Sequence, residues 1–494
     1  MVRWPVVPLL FLALTLQACA AGPDYHAPAA AVLGVPAGYT TPAGAPSGTA
    51  PDLPTWWHSF GDPELDKIVD LALKQNLDIA QAVSRLRQAR EALVQSRAAL
   101  LPSVTASAGY SRNISVQGQS FGSVTSSGIV NQNYSLTGDA SYQIDIFGAN
   151  RRAAQASKRS YEASGYSLAQ VQATIASEVA RNYILARAAQ ANVAIAKGSL
   201  AIQDENLDIA GFRAQAGLVS SLDSEQARAQ RAQTSAQVPS LEQAFDQAAH
   251  RLGVLTGQAP GTLVQELSAT APIPKGPDAV PVGVPADILR LRPDVRSAER
   301  SLAAATAQIG VAQAQLYPQL SIGGSIGSSA SQINALTDII TGQVFGTLAQ
   351  TIFDAGRAKS VVRTRRAAAE QAFASYKSTI LTALEDVENA LVALHTAQAR
   401  QHDFEIALDA SNNAAILARS QYRAGLTDIT TLNTAETSLL SAQSGLSGAK
   451  SDQAQALVQL YLALGGGWDA SAPPPVAQPL RHGDGQPASM PAVQ

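Results

Sequence analysis

The side chains that do chemistry are sparse in this chain, and their spacing decides what chemistry is left. The six histidines are His26, His58, His250, His395, His402 and His482. None stands from another histidine, or from the single cysteine, at the interval tetrahedral zinc ligands need. His395 and His402 lie a heptad apart and read as two solvent-facing side chains on one helix. There is no Cys/His pair and no carboxylate pair in an apolar setting. A Gly-Lys-Ser/Thr phosphate loop is also missing, so the chain carries no nucleotide-driven motor of its own. These patterns argue against an enzyme and call for no cofactor and no metal. What remains is one nucleophile in an unusual place, the thiol of Cys19.

Arg3 supplies a short positive segment, Val6 to Leu16 a short apolar run, and Leu16-Gln17-Ala18-Cys19 closes it with small residues. The run is too short to span a bilayer and reads as a cleaved signal peptide over residues 1–18. Leu-x-Ala-Cys resembles the bacterial lipobox, in which the cysteine becomes a diacylated N-terminus. Acyl chains contribute about 0.8 kcal/mol per buried methylene, so two or three of them, palmitate for instance, hold a protein durably on a membrane. Cys19 is thus the expected lipidation site. No stretch of about 18 apolar residues follows, so no transmembrane helix is expected.

In composition, the 494 residues are 15% charged and 5% aromatic with a net charge of −3. That is too neutral for a phosphate-binding surface, and no nucleic-acid partner is expected. Residues 19–54, rich in Pro, Gly, Ala and Thr, read as an extended tether beyond the anchor, with no reason to pack. Residues 470–494, opening near Pro473-Pro474-Pro475, read as a disordered tail.

Between them the chain repeats itself. Asn76-Leu77-Asp78 precedes Leu101-Pro102 by the same interval at which Arg292-Pro293-Asp294 precedes Tyr317-Pro318. Phe147-Gly148-Ala149-Asn150-Arg151 is echoed by Phe353-Asp354-Ala355-Gly356-Arg357, and Ala216-Gly217-Leu218 by Ala424-Gly425-Leu426. Two internal repeats follow, over residues 55–270 and 271–469, and a large repeat without a catalytic cluster points to a built object such as a tube. Helical periodicity runs from Pro63 to Leu100, from Arg151 to Phe212 and from Ser220 to Leu255, the last interrupted by Pro239. It returns at Ala286–Leu316, Gly356–Tyr422 and Thr430–Leu464. The stretch from Arg151 to Phe212 spans about 90 Å if continuous. Helices so long, with seams of Ala, Gln and Ser, suit close coiled-coil packing in a tube wall.

The linkers inside each repeat switch to a period of two. Val104, Ala106, Ala108 and Tyr110 alternate with small polar residues, as do Tyr134, Leu136, Ala140, Tyr142, Ile144 and Ile146. The second repeat offers Leu320, Ile322, Gly324 and Ile326, then Val344, Leu348 and Ile352. Such alternation marks membrane β-barrel strands. Four strands cannot close a barrel without exposing edges to lipid, so several copies must pool theirs. Three copies give twelve strands; two or four remain open on this ground alone.

Over nearly the whole mature chain the sequence resembles the outer membrane factor family, in its NodT/OprM-type lipoprotein branch related to TolC. The resemblance rests on Cys19 with Gly22-Pro23-Asp24-Tyr25, on Trp56-Trp57-His58-Ser59-Phe60-Gly61-Asp62-Pro63 and on Asp145-Ile146-Phe147-Gly148-Ala149-Asn150-Arg151-Arg152. Arg292-Pro293-Asp294-Val295 with Ala298-Glu299, and Ile352-Phe353-Asp354-Ala355-Gly356-Arg357, complete it. It implies a mainly α chain with a membrane β-barrel portion: a homotrimer with a 12-stranded β-barrel, a 12-helix α-barrel and an equatorial region. It implies an outer membrane location reaching into the periplasm, and passive gated export as the exit channel of a tripartite efflux pump. The partners would be a periplasmic membrane-fusion adaptor and an inner-membrane RND transporter. Alternatives are the exit duct of a type I secretion system, or a lipid-anchored trimeric coiled-coil structural protein without a pore.

The same resemblance places the gate at the turns carrying Gly217 and Gly425. Arg213 and Arg423 precede these turns and Asp223, Glu225 and Asp428 follow, so acidic rings with arginine locks are the expected device. Asp428 also suits a plain helix cap. Thr430-Thr431-Leu432-Asn433-Thr434 departs from the family's pattern, where Leu and Asp are usual, which weakens the case for a strong acidic ring.

Overall fold

The computed structural model describes residues 20–40, 52–115 and 129–470. Cys19, the 1–18 segment and residues 471–494 lie outside it. In chain order the elements are α1 (Ala30–Leu33), α2 (Pro63–Gln75), α3 (Leu77–Ala98), β1 (Ser103–Ser115), β2 (Ile129–Ile144), α4 (Ala149–Gln215) and α5 (Ser221–Leu255). Then come α6 (Val264–Leu267), α7 (Ile288–Leu291), α8 (Pro293–Ala314), β3 (Gln319–Ala330), β4 (Thr341–Ala349), α9 (Arg357–Arg423) and α10 (Ile429–Ala463). Helices α3 and α8 both have 22 residues, α4 and α9 both 67, and α5 and α10 both 35. No helix among the described residues is long and apolar enough to cross a membrane.

The chain forms two compact units. The first holds residues up to Ala27, Arg87–Ala163 and Glu299–Ser375. Its strands make one four-stranded antiparallel sheet in the order β1-β2-β3-β4, rather than two separate hairpins. Register fixes the faces. Val104, Ala106, Ala108 and Tyr110 stand beside Ala140, Gly138, Leu136 and Tyr134. These continue into Gly324, Ile326, Ser328 and Ala330, so one face is apolar. The other is lined mainly with Ser, Thr, Asn, Gln and Gly, with Asp139 and Phe345 among them. Among the described residues strands β1 and β4 are edges without a neighbour, and the apolar face is bare, Val344 being 86% exposed and, just past β4, Ile352 95%.

The N-terminal segment departs from the expected free tether. The Ala21 N–H donates to the Phe147 carbonyl at 3.0 Å. Buried Arg152 reaches the carbonyls of Ala21 and Gly22 at 3.3 Å and pairs with Asp24 at 2.8 Å. A side chain on Gly22 would strike the Gly310 Cα at 2.4 Å, so two glycines let the backbones touch. Polar backbone therefore finds partners in the fold, which composition could not reveal. In the second unit, Leu33 of α1 is fully buried and the Thr40 N–H donates to Glu388 at 2.6 Å.

The second unit holds Pro28–Leu86, Ser164–Ala298 and the chain from Tyr376. Here the helical pattern expected from Pro63 to Leu100 breaks at Asn76, whose ψ of 134° leaves the helix. Its side-chain oxygen caps the next helix through the Asp78 and Ile79 amides, and its amide donates to the Leu255 carbonyl at 2.8 Å, the last of α5. Arg292 repeats the device before α8, donating to the Ala463 carbonyl, the last of α10, at 3.2 Å. Each break residue so satisfies a helix-end carbonyl. Just beyond those ends Gly257 and Gly465 pass so close to the Gln75 and Leu291 carbonyls that a Cβ would lie 2.5 and 2.6 Å away. Trp56 is buried here, stacked on Tyr461 at 5.4 Å. Pro239 does not interrupt α5, which runs through it.

Candidate functional site

The two glycine turns are built alike. Gly217 has φ 68° and Gly425 φ 76°, left-handed values that a Cβ penalises by about 1 kcal/mol. The Leu218 N–H donates to the Arg213 carbonyl at 2.9 Å and the Gly217 N–H to Ala214 at 3.0 Å. Leu426 and Gly425 do the same to Gln421 and Tyr422 at 2.8 and 3.0 Å. Both are Schellman closures, which reverse the chain while satisfying helix-end carbonyls. Arg213 stands four residues before its glycine and Arg423 two, so the arginines occupy different cap positions and meet different partners.

Arg213 of α4 donates to the Tyr422 carbonyl of α9 at 2.8 Å, and its guanidinium lies 4.9 Å from the Tyr422 ring centre. Arg423 of α9 reaches back to Glu205 of α4 at 2.5 Å. The two long helices are thus tied reciprocally just above their turns. Tyr422, 1% exposed, sits in a small core with Ala210, Ala227, Ala418, Ile429 and Leu432. Burial pushes its phenol above the usual range; Arg213 opposes the shift and the Asp223 carboxylate adds to it.

The acids divide. Asp223 lies in the first turn of α5, which Ser220 caps through the Leu222 N–H at 3.2 Å. Asp428 is itself the cap of α10, accepting the Thr431 N–H at 2.7 Å, and that bond holds its carboxyl below the usual range. Glu225 pairs with Arg228 one turn on, at 2.5 Å. Helices α5 and α10 meet through uncharged groups: Gln230 donates to Thr437 at 3.2 Å and Thr430 to Gln226 at 3.4 Å. The structure thus places Arg213, Arg423 and Asp223 around Tyr422 and Glu205, and ties Asp428 to its own helix. Tyr422, Glu205 and the Arg419–Glu436 pair, whose second bond is 3.0 Å, escaped the sequence reading. The one signal for Tyr422 was an aromatic in an otherwise polar last turn.

At the other unit, aromatic pairs bracket the sheet. Tyr110 and Tyr134 face each other at 4.9 Å, and Phe147 stacks on Tyr317 at 4.6 Å where β2 and β3 meet their helices. Asp145 caps α4 through Asn150 and Arg151, and Asp354 caps α9 through Gly356 and Ala358. His395 and His402 are exposed. Among the described residues no three His, Cys, Asp or Glu side chains gather as metal ligands.

Residues 68–258 and 284–466 match the family described as outer membrane efflux protein. Nodulation protein T of Rhizobium leguminosarum bv. trifolii is 31% identical over 94% of this chain and 97% of its own length. Pyoverdine export outer membrane protein OpmQ of Pseudomonas putida is 32% identical over 94% and 98%. Among solved structures, the outer-membrane channel OprN is 33% identical with a TM-score of 0.83, over 91% of this chain and all of that one. The open MtrE outer membrane channel of Neisseria gonorrhoeae is 27% identical with a TM-score of 0.81, over 92% and 99%.

Proposed function

This chain belongs to the outer membrane efflux protein family, and from that premise we propose that three copies assemble into the exit channel of a tripartite efflux pump. The family is one of efflux channels rather than enzymes. Relatives carry the names of outer membrane components of antibiotic and solvent efflux pumps.

The observation that carries the assembly is the four-stranded sheet with both edges unpaired and one face bare and apolar. In a bilayer, edges must be paired, and the pairing available is β4 of one copy with β1 of the next. Two copies would give an eight-stranded barrel, whose interior side chains fill; twelve strands leave a lumen. The height fits as well. From the Tyr110/Tyr134 pair to Ile144 the strand path is ~33 Å at its usual rise, and a tilt of about 40° reduces this to ~25 Å, the apolar band of outer membrane barrels. Arg112 and its neighbour Gln132, on the apolar face, lie just outside that band. The polar face then lines a water-filled passage. Helices α4, α5, α9 and α10 of three copies supply a twelve-helix periplasmic tunnel.

The tips are its gate. Arg213, Arg423, Asp223 and Asp428 with the Gly217 and Gly425 turns close the tunnel, the Arg213–Tyr422 and Arg423–Glu205 ties holding the two helical hairpins of one copy together. Opening requires those ties to exchange, which a periplasmic adaptor docked on the tips would bring about while an inner-membrane RND transporter supplies the energy. Cys19, acylated, anchors the chain in the outer membrane two residues before the Ala21 bond to Phe147.

The test is purification of the full chain in detergent and reconstitution in a planar bilayer. Expected are a three-copy particle, three-copy cross-links between cysteines placed on β1 and β4, and unitary current steps. A monomer that carries no current across lipid overturns the reading.

A further inference from the structure

Only two residues of the four strands carry a formal charge, Arg112 and Asp139. The register sends them to opposite faces. Arg112 stands on the apolar face beyond the tyrosine pair, whereas Asp139 stands on the polar face between Thr105 of β1 and Ser325 of β3. Asp139 is also five residues from Tyr134 and five from Ile144, the two ends of the apolar band, and so falls at mid-height. Neither Lys nor Arg occupies the polar face of any described strand, so the carboxylate has no counter-charge among them. An ionisable side chain at bilayer depth is costly unless it faces water, and where it occurs it marks a solute path.

Resting on the trimeric reading above, we propose that Asp139 is the charge-selecting residue of the barrel passage. Three copies form an anionic ring near the bilayer midplane, in an otherwise uncharged lumen lined mainly by Ser, Thr, Asn, Gln and Gly, with Phe345 its one aromatic. The ring favours cationic over anionic solutes, most strongly for those passing within about one Debye length (~8 Å at physiological salt) of a carboxylate. Selection of this kind lies in the barrel and is separate from the gate.

A local probe tests it without interference from the tips. Thr137, two residues away on the same face, is replaced by cysteine in the full-length trimer. It is then labelled from the outer side with a cationic and an anionic methanethiosulfonate reagent. Coulomb attraction over ~7 Å in water predicts that the cationic reagent gains on the anionic one by about five-fold at 10 mM salt, falling to about two-fold at 0.15 M. Adding Asp139→Asn removes this preference, and Asp139→Glu keeps it. A rate ratio indifferent to Asp139→Asn overturns the proposal. Leu136→Cys, on the apolar face, separates the two readings. If it labels while Thr137→Cys does not, the assignment of lumen and lipid faces fails, and with it the barrel itself.

Discussion

The Tyr422 carbonyl accepts from Gly425 and from Arg213 at once, and its ring is buried beneath the Arg213 guanidinium. A side chain so placed holds the tip through shape as well as hydrogen bonding. Tyr422→Ala is expected to cost about 3–5 kcal/mol in denaturant unfolding, the usual loss for a buried aromatic. Tyr422→Phe should stay within about 1 kcal/mol, since the hydroxyl has no hydrogen-bond partner among the described residues and its removal relieves a buried polar group. Asp428 obeys a different logic. Its folded pKa is depressed by the Thr431 N–H, so its contribution is complete above the unfolded value of about 3.9 and is lost as pH falls through the folded one. Hydrogen-exchange protection in the first turn of α10, measured against the intrinsic rate at each pH, should therefore fall below about pH 4, and Asp428→Asn should abolish that dependence. Single-channel recording of Asp223→Ala and Asp428→Ala decides whether either acid also gates. Unchanged conductance and ion selectivity in both would remove them from the constriction. The cap at Asp428 was legible because Asp three residues past a turn glycine is a local signal. Tyr422 was not, because its role depends on Arg213, which lies 209 residues away in the chain.

Between elements, the α9–α10 pair is fastened by Arg419 and Glu436, the glutamate 2% exposed. Arg419→Ala leaves that carboxylate buried without its cation, and about 3 kcal/mol of destabilisation is expected by calorimetry or denaturant, whereas Arg419→Met with Glu436→Leu should be close to neutral. In the sheet, Phe345 is the one aromatic on the polar face, and its ring lies over Gly323, where a Cβ would be 2.5 Å from it. Gly323→Val is expected to push the ring off its seat into the passage and lower unitary conductance without lowering the yield of trimer. An unchanged conductance would mean that the ring finds room elsewhere. The strands were readable from their period of two, as the long helices were from their apolar spacing. The break at Asn76 was hidden because the periodicity runs through it, and only the Leu255 carbonyl it serves explains it.

For the molecule as a whole, short echoes in sequence stand beside helices of equal length, although the strands differ, 13 and 16 residues against 12 and 9. Less legible was the N-terminal segment. Its Pro/Gly-rich composition suggested a loose tether, yet Arg152 and the Gly22–Gly310 contact hold it against the first unit. Cys19→Ser is accordingly expected to weaken retention in the membrane fraction while leaving the trimer and its current intact, and Gly310→Leu to do the reverse. Gel filtration and fractionation distinguish the two. The matched lengths, 67 with 67 and 35 with 35, also bear on how such a chain can change over time. A heptad gained in α4 alone would carry Gly217 about 10 Å past Gly425 and part Arg213 from Tyr422. Lengthening is tolerable only if all four helices gain together, so indels here should be inherited as concerted sets, never singly.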